Sequence, residues 1–119
     1  MFTEISDAIC IETTNVADVF QIRINIKEAT SLHTENLKNI LNEAINLGKN
    51  KLIIDLSACS FIDSTFLGAI ASNLRVIRSF RGDIKIVYSN LIVKTVLTSN
   101  GINRAMEIFD DINTAVLSY

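Results

Sequence analysis

Phe20, Ile22, Ile24 and Ile26 alternate with Gln21, Arg23, Asn25 and Lys27. An apolar residue at every second position turns one face inward and leaves the other wet, so residues 19–27 predict a half-buried strand. Residues 8–14 (AICIETT) predict a strand pairing with it as a hairpin across 15–18, although no glycine marks the turn. After that the period changes. Leu37, Ile40, Leu41, Ala44 and Ile45 share one helical face, with Ser31 or Thr34 to cap the start and Glu35 suited to the positive end of the dipole. Gly48 is placed to end this helix. Residues 51–56 (KLIIDL) are almost unbroken apolar, which reads as a strand covered on both faces. A second helix is predicted over about 63–80 and another short buried strand over 83–89. A third helix follows, with Val93, Val96 and Leu97 inward and Gly101 as its stop, then a strand at 106–108 and a short helix from about Asp111. The order β-β-α-β-α-β-α-β-α predicts an α/β fold, a mixed sheet with its helices packed mainly on one side.

Composition narrows the classes of function. A chain of 119 residues, 49% hydrophobic and 20% charged, without proline or low-complexity tracts, has the size and balance of one compact domain over residues 1–119. A net charge of −2 with no Lys/Arg-rich stretch argues against a nucleic-acid partner. Residues 64–74, the longest uncharged run near the middle, fall short of the roughly 20 apolar residues a membrane-spanning helix needs. MFTEISD at the start carries two acids where an export signal would carry positive charge, so the expected location is cytoplasmic, with no membrane partner. Cys10 and Cys59 lack CxxC spacing and sit among apolar neighbours, which predicts two small buried hydrophobes.

The corner between the buried strand and the second helix carries the chemistry. Residues 63–65 read Asp-Ser-Thr and are followed at once by Phe66. At about 100° per residue, Leu67, Ile70, Ala71, Leu74 and Ile77 fall together and face the sheet. Ser64, Gly68, Ser72, Arg75 and Ser79 form a second flank that is small and polar, with one cation about three turns along. Such a flank is either a plain solvated face or one that lets another surface come close. Asp63 has the place and chemistry of an N-cap, which accounts for one of the three polar residues without invoking function. Ser64 lies in the first turn, where unpaired N–H groups and the dipole tolerate negative charge, so it is a candidate phosphate acceptor.

KLIIDLSACSFIDSTFLGAI, residues 51–70, resembles the signature of the STAS-domain family, that of the bacterial anti-sigma factor antagonists. In that family an apolar strand ending in Asp-Leu-Ser leads to Asp-Ser-Ser/Thr-Gly-Leu-Gly at the head of a helix. Here Asp55-Leu56-Ser57, Phe61-Ile62, Asp63-Ser64-Thr65, Leu67 and Gly68 stand in register, and the element order and the closing SNGINRAMEIFDDINTAV are similar too. The resemblance implies a switch rather than an enzyme. Unphosphorylated, the antagonist would bind an anti-sigma factor that is also a serine kinase, displacing the sigma factor. The kinase would then phosphorylate Ser64 and release it, and a serine phosphatase would reset it. Asp63 would help present the hydroxyl, and the contacts implied are Asp63, Ser64, Thr65, Phe66, Gly68, Ser72 and Arg75. Phe66 stands where the family has Gly. On the wheel it falls at the edge of the apolar stripe, which leaves both a core role and a docking role open. Lys27-Glu28-Ala29 also replaces a glycine often found after the family's second strand.

Two other classes stand beside the switch. One is a STAS-like adaptor without phosphorylation, a subunit of a larger signalling or lipid-transport assembly. The other is an enzyme, against which His33 lies at a predicted helix start without an obvious nucleophile neighbour, reading as a capping or surface residue, and no Walker-type loop or zinc spacing occurs. Neither a metal nor another cofactor is expected. Open strand edges in a small mixed sheet make either a monomer or a weak homodimer compatible with the sequence.

Overall fold

The computed structural model describes residues 3–5 and 11–119. Cys10, and the first residues of the predicted 8–14 strand, lie outside the described residues. Six strands form the main sheet: β1 (Thr3–Ile5), β2 (Ile11–Val16), β3 (Val19–Ile24), β5 (Lys51–Asp55), β7 (Asp83–Val87) and β8 (Ile108–Phe109), side by side in that order. The β1–β2 and β2–β3 pairs are antiparallel, whereas β3, β5, β7 and β8 run parallel. Three short strands are absent from the sequence reading: β1 at the edge of the main sheet, and β4 (Glu28–Ala29) and β6 (Phe61–Ile62), which pair as a separate parallel ribbon. The helices are α1 (Thr34–Asn46), α2 (Ser64–Ser79), α3 (Leu91–Ser99), α4 (Ile102–Ala105) and α5 (Ile112–Leu117).

Alternation decides which face each strand buries. Phe20, Ile22, Ile24, Leu52, Ile54, Ile84 and Ile86 point to one side and pack with the apolar faces of α1 to α4. The opposite side carries α5, where Val19, Ile53, Val87 and Ala115 form a second, smaller cluster. A mixed sheet with helices mainly on one side is therefore what forms.

The β2–β3 hairpin closes with Val16 opposite Val19, so Ala17 and Asp18 make the turn, at φ 52° and 65°. Both sit in the left-handed region that a tight hairpin demands and that glycine or asparagine enters more easily. Helix α1 is entered differently from the expectation. Neither Ser31 nor Thr34 caps it. A 3₁₀ turn over Ser31–His33 leads in, with Thr30 Oγ1 accepting from Leu32 N–H at 3.4 Å. Gly48, at φ 75°, ends α1 as expected, and Lys49 N–H closes the last turn on Ala44 O at 2.9 Å.

On the α5 side, Lys85 is buried although charged. Its Nζ donates to Ser118 O at 3.0 Å and Ser118 Oγ at 2.7 Å, pairs with Glu107 Oε1 at 3.3 Å, and lies 4.1 Å from the centre of the Tyr119 ring. Tyr119 Oη reaches Leu52 O at 2.6 Å and Asp83 O at 2.8 Å. The end of the chain is thus pinned across β5 and β7.

Candidate functional site

Parallel strands deliver their connections at their carboxyl ends, so the starts of α2 and α3 share one edge of the sheet. The DLS triplet makes the bend out of β5. Asp55 Oδ1 accepts from Ser57 N–H at 3.0 Å and Ser57 Oγ–H at 2.6 Å, while Oδ2 lies 3.7 Å from Arg23 Nε. The chain then crosses to β6, where Lys27 O accepts from Ser60 N–H and Phe61 N–H and Ala29 O accepts from Asp63 N–H. Cys59 is buried between these turns. Burial, with the Asp55 charge adding to it, pushes its thiol pKa up to about 12, so it stays neutral and inert.

Asp63 is the N-cap of α2, with Oδ1 accepting from Phe66 N–H at 2.8 Å. Its other oxygen does something the sequence did not announce: Oδ2 accepts from Ser31 N–H at 3.0 Å, from the turn that leads into α1. Ser64 opens the helix and Thr65 follows, both exposed, and neither hydroxyl has a hydrogen-bond partner among the described residues. The serine hydroxyl can therefore meet a phosphoryl donor without any local unfolding. Once modified, it would lie beside first-turn N–H groups that the helix leaves unpaired.

Gly68, Ser72 and Arg75 are exposed along the same face as Ser64. Gly68 meets no packing demand, because a Cβ built there has nothing within 4 Å. Ser72 Oγ folds back onto Ala69 O at 3.1 Å, which flattens the face further. Arg75 is eleven residues on from Ser64, about 16 Å along the axis, so it extends the face without reaching the hydroxyl.

Two sequence assignments on α2 need correction. Phe66, expected among the partner contacts, is fully buried, the largest such side chain among the described residues, so it offers no docking surface. Ala71, assigned to the sheet face, is exposed, and Ala69 is buried instead. Both errors have one cause. The buried arc is centred on Phe66, Ile70 and Ile77, about 60° round the wheel from where a stripe including Ala71 places it.

Several exposed apolar residues at this end were not singled out from sequence. Leu32 is 85% exposed, Leu91 74%, Ile92 60% and Phe61 40%. Leu32 belongs to the turn tied to Asp63, Phe61 to the strand before it, and Leu91 and Ile92 to the start of α3, which packs beside β6. A usable signal exists only for the last pair. Once Val93, Val96 and Leu97 are assigned inward, Leu91 and Ile92 have no inward place.

Among the described residues no cluster of His, Cys, Asp and Glu could hold a metal, and no helix is long and apolar enough to cross a membrane.

This architecture has parallels among known proteins. Residues 11–115 match the STAS domain family. A candidate anti-sigma factor antagonist of Thermotoga neapolitana is 34% identical over 79 residues, covering 66% of this chain and 70% of that protein. The crystal structure of a candidate anti-sigma factor antagonist from Thermotoga maritima superposes with a TM-score of 0.82 at 32% identity, covering 89% of this chain and 91% of the other. The Bacillus cell fate determinant SpoIIAA, in its phosphorylated form, shares the fold at a TM-score of 0.68 and 18% identity, over 89% of this chain and 96% of its own. The chain belongs to the STAS-domain family, of the anti-sigma factor antagonist type.

Proposed function

We propose that the protein is an anti-sigma factor antagonist whose binding is switched by phosphorylation of Ser64. In the unphosphorylated state it engages an anti-sigma factor that is also a serine kinase and so frees the sigma factor. Phosphorylation by that kinase ends the complex, and a serine phosphatase restores it. The protein is then a substrate of both enzymes and not itself a catalyst. The observation that carries this reading is Ser64 itself, exposed at the first turn of α2, its hydroxyl unengaged among the described residues. Its surroundings support it. Gly68, Ser72 and Arg75 continue the exposed face, and Leu32, Phe61, Leu91 and Ile92 supply the apolar anchors that a protein partner requires.

A phosphate on Ser64 adds close to two negative charges beside the Asp63 carboxylate. The helix start accommodates that charge, whereas a partner packed over it must desolvate it. Release without unfolding follows from this asymmetry. Phe66, being a core side chain, presents no altered docking surface that would favour a phosphorylation-free adaptor.

Incubation with the cognate serine kinase and ATP tests the proposal. Intact-mass analysis is expected to show one phosphate on the wild type and none on Ser64→Ala, with the modified peptide mapping to Ser64. Phosphate on any other residue would overturn the assignment.

A further inference from the structure

The two oxygens of Asp63 serve different partners. Oδ1 caps α2 through Phe66 N–H at 2.8 Å, and Oδ2 holds Ser31 N–H at 3.0 Å across 32 positions of sequence. An N-cap needs only the first of these. The second fastens a three-residue turn whose middle residue, Leu32, is 85% exposed and contributes nothing to the core. Within the turn and its entry into α1, Thr30 Oγ1 accepts from Leu32 N–H at 3.4 Å, Thr30 O accepts from His33 N–H at 3.0 Å, and Ser31 O accepts from Thr34 N–H. The Asp63 carboxylate joins the turn to the helix bearing Ser64.

The geometry points to Asp63 as a positioning residue for the docking surface. It locks the Ser31–His33 turn to the head of α2, so that the partner meets Leu32 and Ser64 as one preformed surface. This inference rests on the antagonist reading above and adds to it a contact, Leu32, and the residue that presents it. A preorganised apolar anchor loses less conformational entropy on binding than one on a loose turn, which is how a bond within the free protein strengthens the complex.

Asp63→Ser separates the two duties. Serine caps helices as well as aspartate does, but its side chain is too short to reach Ser31 as well. Amide hydrogen exchange on the free protein reads the clamp alone. In Asp63→Ser, Ser31 N–H is expected to exchange about tenfold faster while Phe66 N–H keeps its protection. Unchanged exchange at Ser31 would overturn the clamp whatever the partner does.

The docking half is read by titrating a purified serine-kinase anti-sigma factor from the source organism against wild type, Leu32→Ala, Asp63→Ser and the double variant. Each single change is expected to weaken binding by about fivefold or more. Leu32→Ala is expected to matter less once Asp63 is serine, because the anchor is already loose. Strict multiplicativity of the two effects, or no effect of Leu32→Ala, would overturn the coupling. No binding by the wild type would overturn the antagonist reading, and the docking half with it, while the exchange result still decides the clamp.

Discussion

Adding one methyl group at Gly68 sets stability against binding. Gly68 lies inside α2, on its exposed face, and a Cβ there has nothing within 4 Å. Within the isolated protein, Gly68→Ala therefore meets no clash and removes a poor helix former, a gain of about 1 kcal/mol. For a chain of this length that raises Tm by roughly 3–5 °C. If a partner packs against the face shared by Ser64, Gly68 and Ser72, the same methyl enters a close-packed contact and costs about 1–3 kcal/mol. This corresponds to a Kd roughly 5- to 150-fold weaker. Urea unfolding and calorimetric titration with the anti-sigma factor, run on the same preparations, should move in opposite directions. A stabilised variant that binds as well as wild type would remove this face from the interface. A destabilised one would show that the glycine answers to the fold.

Four further substitutions have expected outcomes. Phe66→Ala should cost about 3–5 kcal/mol in urea unfolding, because it empties the largest fully buried site; a loss below about 1 kcal/mol would contradict its core role. Cys59 titrates near 9.0 in the unfolded chain and near 12 when folded, so the unfolded state releases its proton first as pH rises. Its contribution to stability is complete below pH 9 and declines through that window, and the decline measured for wild type should be smaller in Cys59→Ala. Lys85→Met should change stability by only about 1 kcal/mol, since it removes a buried charge and keeps the aliphatic stem. Tyr119→Ala should cost about 2–3 kcal/mol by uncovering that ammonium; the reverse order would refute this account of the pinned chain end.

Period and punctuation carried most of the architecture. The alternation from Phe20 to Ile26 yields β3, the apolar run at 51–56 yields β5, and Gly48 stops α1. The ribbon of β4 and β6 escaped because two residues have no period, and their pairing joins segments far apart in sequence. The Ala17-Asp18 turn lacks its usual residues because tertiary pairing of β2 with β3 overrides the local preference. At the site, the Asp63 cap and the place of Ser64 in the first turn of α2 were legible from type and position alone. Phe66 was not, because one exposed alanine counted as apolar rotated the inferred stripe. The bond from Asp63 to Ser31 was beyond reach, since nothing local marks a contact across 32 positions.

The central claim is that charge at Ser64 breaks a protein complex without breaking the fold. It is tested most directly by one calorimetric comparison. The anti-sigma factor is titrated with the unmodified protein and with protein carrying one phosphate on Ser64, the Tm of each being recorded first. We predict a Kd at least about tenfold weaker for the phosphorylated form, a loss of about 1.4 kcal/mol, with both forms folded and their Tm values within a few degrees. Equal affinities, or a loss of binding explained by unfolding, would contradict it.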